Sequence, residues 1–172
     1  MSDLGFFPIN FELHSDLCIK FRADSFLCSF NTEKTFWEKD GLGGERYISW
    51  LKNKISMRFS AFHIWQENNI IGQLELGQRK PADDFGYINL YYLIPSERGQ
   101  GHSAHIDRFA MEYLLSLGFK IAKLAVSPTN LRAKKFYEKN GWIDLGPRVA
   151  PVGHVSANEF PVHEMEKQIL PG

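Results

Sequence analysis

Residues 98–104 read Arg-Gly-Gln-Gly-His-Ser-Ala, and they stand between two segments of opposite hydrophobic period. Upstream, Tyr87 to Ile94 (YINLYYLI) is rich in β-branched and aromatic residues and stops at Pro95, which cannot donate to a sheet ladder. A strand is predicted there. Downstream, Ile106, Phe109, Ala110, Tyr113, Leu114 and Leu117 recur at helical spacing, which predicts a helix with one buried stripe and Gly118 as its stop. A helix start presents unpaired N–H groups and a partial positive charge, and glycines let the backbone close in on a bulky anion. The chemistry suggested is phosphate binding. A Walker loop would need a Lys and a dinucleotide fingerprint a third glycine, and this loop has neither. Taken by itself, the segment is equally the pattern of an ordinary turn.

Working outward, Lys120 to Val126 (KIAKLAV) is the next strand, followed by a helix from about Asn130 to Lys139. Asn130 suits the N-cap and Asn140-Gly141 the stop, while Tyr137 on that helix has the spacing of an ordinary core aromatic. A strand, loop, helix, strand unit implies at least one parallel pair. Before it, Ala61 to Gln66 and Ile70 to Leu76 form a predicted hairpin around Asn68-Asn69; after it, Trp142 to Leu145 and Glu159 to Ile169 read as two final strands. In the N-terminal third, Leu17 to Arg22 reads as a first strand and Ala23 to Asp40 has irregular helical spacing. The run Gly41 to Gly44 then breaks the chain before a helix over Glu45 to Ile55. The order is mixed α+β.

The chain has 172 residues, 44% of them hydrophobic and 23% charged, which predicts one folded domain over 1–172. Twenty Lys plus Arg balance twenty Asp plus Glu, without the basic excess that nucleic-acid binding needs. No basic segment followed by an apolar run opens the chain, and no stretch is apolar enough to span a membrane, so a cytoplasmic location is expected. Cys18 and Cys28 match neither a zinc knuckle nor a disulfide framework, and His102 and His105 lack a third ligand, so no metal is expected.

Together the two loop-and-helix segments resemble the GNAT superfamily of N-acetyltransferases. Its acetyl-CoA signature, [Q/R]-x-x-G-x-[G/A], is met by Arg98, Gly101 and Ser103, with Ser where Gly or Ala is usual. A second pattern, N-x-x-[A/S]-x-x-[F/L]-Y-x-x-x-G-[F/W], is met by Asn130, Ala133, Phe136, Tyr137, Gly141 and Trp142. The similarity covers about residues 60 to 170 and includes His163 to Lys167 as the final strand. It implies an α+β fold whose mixed, mostly antiparallel central sheet is flanked by helices, with a splayed parallel strand pair holding the cofactor. By the same resemblance acetyl-CoA is the cosubstrate, with its pyrophosphate on the backbone of Arg98, Gly99, Gln100, Gly101, His102 and Ser103 and the Arg98 side chain as a countercharge. The pantetheine arm would run between Tyr87–Ile94 and Lys120–Val126, contacting Leu93, Ile94, Asn130 and Tyr137. The N–H near Leu93 would polarise the thioester carbonyl, and Tyr137 holds the family's general-acid position.

Acetyl transfer to an amine needs a neutral nitrogen, so a base is required. Strand alternation puts Gln73 and Glu75 on one face and Asn89 and Tyr91 on another; if the two faces align, Glu75 is the candidate base, directly or through water. Glu33, Glu38, Asp40 and Glu45 would add negative charge where the family's members vary, which suits a cationic amine, small or peptidic. The loop Gly146 to Asn158 is a second variable region. Two readings of different class remain: an N-acetyltransferase acting on a primary amine, or a catalytically inactive acyl-CoA-binding module. The resemblance allows a homodimer, which no feature of the sequence decides.

Overall fold

The hairpin predicted around Asn68-Asn69 is the centre from which the sheet grows. In a computed structural model, which describes residues 3–37, 41–148 and 161–171, β2 (Phe59–Gln66) and β3 (Asn69–Gly77) pair antiparallel. β1 (Leu4–Pro8) is added on the β2 side, and β4 (Gly86–Leu93) on the β3 side. The chain then crosses over through α4 (Ser103–Ser116) to β5 (Ile121–Val126), the parallel neighbour of β4. After α5 (Leu131–Lys139), β6 (Ile143–Pro147) and β7 (His163–Gln168) complete a seven-stranded sheet in the order β1-β2-β3-β4-β5-β7-β6. This is the mixed, mostly antiparallel sheet expected, with one parallel pair.

Period-two alternation divides the core between the two faces. Phe62, Leu74, Leu76, Ile88, Leu124 and Met165 pack under α4 with Ala110 and Leu114. On the other face Phe59 and Ala61 pack against α1 (Phe11–Phe30), α2 (Lys34–Trp37) and α3 (Gly43–Lys54) through Cys18, Phe36, Tyr47 and Leu51.

The N-terminal third corrects the sequence reading. Leu17 to Arg22 is not a strand but the middle of α1, and the first strand is the earlier segment Leu4–Pro8. The run LCIKFR alternates as a strand would, yet Asn10 caps the helix through Glu12 N–H and Leu13 N–H at 3.1 and 3.3 Å, and Asn31 ends it at φ 59°. A capped helix of twenty residues outweighs a six-residue alternation.

β4 carries one extra residue. Glu75 faces Leu90 while Leu76 faces Ile88, so Asn89 is bulged. Beyond it the side-chain parity is reversed: Tyr91 pairs with Leu74, on the α4 face, and Tyr92 pairs with Gln73. The alignment of Tyr91 with Gln73 and Glu75 expected from simple alternation is therefore broken by this one residue.

Candidate active site

β4 and β5 are paired only from Gly86 to Ile88 and from Ala122 to Leu124. Past the bulge each strand continues unpaired with the other, β4 to Leu93 and β5 to Val126, and a gap opens between them. A cavity of about 1230 Å³ occupies this gap, walled by both strands, the loop after Leu93, and residues of α1, α4 and α5.

The loop that follows β4 folds as its glycines permit. Gly99 and Gly101 take φ of 74° and 87°, a region costly to residues with a Cβ, and no atom lies within 4 Å of where that Cβ would stand. The free space beside the backbone is what an approaching anion needs. α4 then begins at Ser103 with no side chain capping its first turn, and its first intrahelical bond is from Ile106 N–H to the His102 carbonyl. The N–H groups of Ser103, Ala104 and His105 are thus without helical partners at the positive end of the helix dipole.

Strand geometry also aims a donor at the gap. Ile94 N–H donates to the Ile71 carbonyl at 2.9 Å, and successive N–H groups point to opposite edges, so Leu93 N–H points away from β3 toward the opening. Ile94 is thereby committed to the sheet.

Eight of the residues expected at the cofactor line this one cavity: Leu93, Arg98, Gly99, Gly101, His102, Ser103, Asn130 and Tyr137. Ile94, Gln100 and Glu75 are not among its lining residues. The Arg98 guanidinium, expected as a countercharge for phosphate, is already engaged: Nη2 meets Asp24 Oδ2 at 2.8 Å, and Nε donates to the Leu93 carbonyl at 2.8 Å. Its observed work is to tie the loop to α1 and to β4. His102 is buried with Nε2 3.0 Å from Glu97 Oε2, and Asn130 caps α5 through Ala133 N–H at 3.2 Å.

Tyr137 sits between the rings of Tyr91 and Trp142, with centroids 5.8 and 5.9 Å away. No described residue hydrogen-bonds to its hydroxyl. Burial, helped by the charge of Asp107, pushes its pKa well above the usual tyrosine range, so it keeps its proton. Asp107 is a residue the sequence reading missed. It is 3% exposed and accepts from Trp142 Nε1 at 2.9 Å, Tyr91 hydroxyl at 3.1 Å and Lys167 Nζ at 2.5 Å, fixing the aromatic wall around Tyr137. An acidic residue among the apolar positions of α4 was the available signal.

Glu75 is completely buried behind the bulge. One carboxylate oxygen accepts from the Tyr47 hydroxyl and from Gln73 Nε2 at 3.0 Å, the other from Asn89 Nδ2 at 2.5 Å. Gln73 also meets His63 Nε2 at 3.1 Å, and burial pushes the His63 pKa down to about 4, so this ring is neutral. Cys18, 3.5 Å from His63, has its thiol pushed up to about 12 by burial and by Glu75, which leaves it unreactive. Both cysteines are free. Among the described residues, no group of three or more His, Cys, Asp or Glu side chains is placed to hold a metal ion, and no helix is long and apolar enough to cross a membrane.

Of the acidic residues expected near the acceptor, Glu33 bonds Trp37 Nε1 at 3.0 Å and Glu45 lies in the first turn of α3; Glu38, Asp40 and most of the Gly146–Asn158 loop lie outside the described residues. The cavity wall instead contains eight Lys and Arg against one carboxylate, Glu97, among the described residues.

Residues 24–142 match the model of the Acetyltransferase (GNAT) family. An uncharacterized N-acetyltransferase of Archaeoglobus fulgidus is 40% identical over 52 residues, spanning 30% of this chain and only 35% of that protein. The spermidine N-acetyltransferase of Vibrio cholerae, solved in complex with CoA and spermine, superposes with a TM-score of 0.71 at 15% identity over 96% of this chain and 95% of its own. A nourseothricin acetyltransferase superposes with a TM-score of 0.58 at 16% identity, over 66% of this chain and 67% of its own. At such identities the structural likeness establishes the fold. The family match covers well over half of the sequence, so the chain belongs to the GNAT family of acetyltransferases.

Proposed function

We propose that the protein transfers the acetyl group of acetyl-CoA to a primary amine by direct attack of the amine on the thioester. The observation that supports this best is the meeting, in one cavity, of an uncapped helix start with a tyrosine whose hydroxyl has no hydrogen-bond partner among the described residues, across the gap between β4 and β5. The N–H groups at the start of α4 and the glycine loop would hold the diphosphate, and Arg98 would keep that loop in place. The pantetheine amides would pair with the free edge of β4 as an added strand does.

The acceptor nitrogen, an ammonium with a pKa of about 10.4 in water, must lose a proton before its lone pair can form the C–N bond. Glu75 is the proposed sink for that proton, acting through solvent rather than by contact, since Asn89 stands between its carboxylate and the cavity. As the carbonyl oxygen gains charge, Leu93 N–H would donate to it. When the C–S bond breaks, the nitrogen would release its second proton to solvent and the thiolate would take the proton of Tyr137, whose phenol is protonated at neutral pH; solvent would then restore it.

The test is calorimetry with acetyl-CoA, followed by thiol release with a panel of amines. Turnover with any primary amine supports the proposal. Tight acetyl-CoA binding without turnover would favour an acyl-CoA-binding module, and no binding would remove both readings.

A further inference from the structure

The cavity does not end where the acyl group would sit. Arg79, Lys80 and Tyr87 line it too, from the β3–β4 connection and the start of β4. From Tyr87 to Leu93 the strand extends about 20 Å, at about 3.3 Å per residue. These cations are therefore at the far end of β4 from the phosphate loop. Arg22 enters from α1 between the two ends, its Nη1 3.5 Å from the carbonyl of the bulged Asn89.

The two guanidiniums differ in how a carboxylate meets them: Arg79 has a long ion pair with Asp83, and Arg22 has no carboxylate that close among the described residues. Arg22 is held by the rings of Phe26 and Tyr47 at 5.2 and 5.9 Å. Arg79 stacks over Tyr87 at 4.4 Å and reaches Asp83 only at 3.8 Å, and its Nε is a buried donor with no hydrogen-bond partner among the described residues. An unmet buried donor is costly, but Nε is closed to solvent, so a ligand would meet the exposed part of this side chain, which is 26% accessible.

We propose that the acceptor amine carries an anionic group, a carboxylate in the first instance, and that Arg22 and Arg79 recognise it on the side of the bulge away from the coenzyme phosphates. The planar forks of two arginines match a carboxylate, whereas a polyamine would bring further positive charge to this wall. This rests on the acetyltransferase reading and reverses the preference that acidic residues in the 31–45 segment suggest.

The experiment compares L-amino acids with their own carboxamides, and both with spermidine, as acceptors at fixed acetyl-CoA. The expected result is turnover of at least one amino acid with a KM lower than that of its carboxamide by about 10-fold or more, the scale of a charged hydrogen bond. Arg22→Gln and Arg79→Gln should close most of that gap through KM, while the Kd for acetyl-CoA measured by calorimetry changes by much less than that KM. Equal or better turnover of carboxamides or spermidine overturns the proposal, as does failure of every amino acid to react while acetyl-CoA binds. Failure of acetyl-CoA itself to bind points instead to the underlying reading, which falls together with the inference.

Discussion

The roles proposed for Tyr137 and Glu75 make opposite demands, one to give a proton and the other to take one. Tyr137 is held protonated by burial and by Asp107, so Tyr137→Phe should lower kcat by about 10²-fold or more, the scale of general-acid catalysis, while sparing acetyl-CoA affinity; an unchanged kcat in a steady-state assay removes it from the mechanism. Glu75→Gln keeps the size of the side chain that receives Tyr47, Gln73 and Asn89 but removes its charge. The pH–rate profile should shift, and an unshifted one assigns proton removal elsewhere. His63 has a stability role. With its pKa at about 4 in the folded protein against 6.5 when unfolded, the unfolded chain binds the proton first as pH falls. The contribution is fully present above pH 6.5 and is lost as pH drops through about 4, up to about 3 kcal/mol at 1.36 kcal/mol per pKa unit. Urea melts at several pH values should show a smaller acid loss for His63→Asn than for the unsubstituted protein. Tyr137, the glycine loop and Asn130 were legible because their motifs are local. Asp107, Arg22 and Arg79 were not, because their meaning comes from partners distant in sequence, such as Lys167 for Asp107 and Asn89 for Arg22.

At the scale of elements, the strands from β2 onward were readable because short apolar, β-branched and aromatic runs bounded by turn residues need no tertiary context. α1 was not, since LCIKFR alternates and the caps that decide it stand outside that run. The bulge was invisible too: Asn89 announces nothing in sequence, yet it re-aims Tyr91 and releases β4 from β5. What α1 does for the site follows from Asp24, whose Oδ2 receives both Arg98 Nη2 at 2.8 Å and the Tyr92 hydroxyl at 2.6 Å. A helix from the first third of the chain thus braces the loop proposed to hold the phosphates. Asp24→Asn keeps a partner for Tyr92 but weakens the ion pair, and should cost about 1 kcal/mol of stability. It should also raise the Kd for acetyl-CoA severalfold as the loop loosens. Tighter binding in calorimetry would mean instead that a freed Arg98 serves the phosphates directly.

Across the whole molecule, neutrality conceals a segregation of charge. Twenty basic residues balance twenty acidic ones, but among the described residues the cavity wall takes eight of the former and one carboxylate. Composition is silent about a cleft whose cations come from α1, the β3–β4 connection, the loop after β4, α5 and the end of β6. Low-dielectric walls focus such a field on an incoming polyanion, so electrostatics should contribute to cofactor capture as well as to orientation. Screening length falls from about 10 Å at 0.1 M salt to about 3 Å at 1 M. Over that range acetyl-CoA should bind progressively more weakly, whereas the unfolding midpoint of the free protein, with its charges balanced overall, should move little. Titrations at a series of salt concentrations separate the possibilities: a Kd indifferent to salt would mean that short hydrogen bonds at the start of α4, and not the field of the cavity wall, supply the affinity.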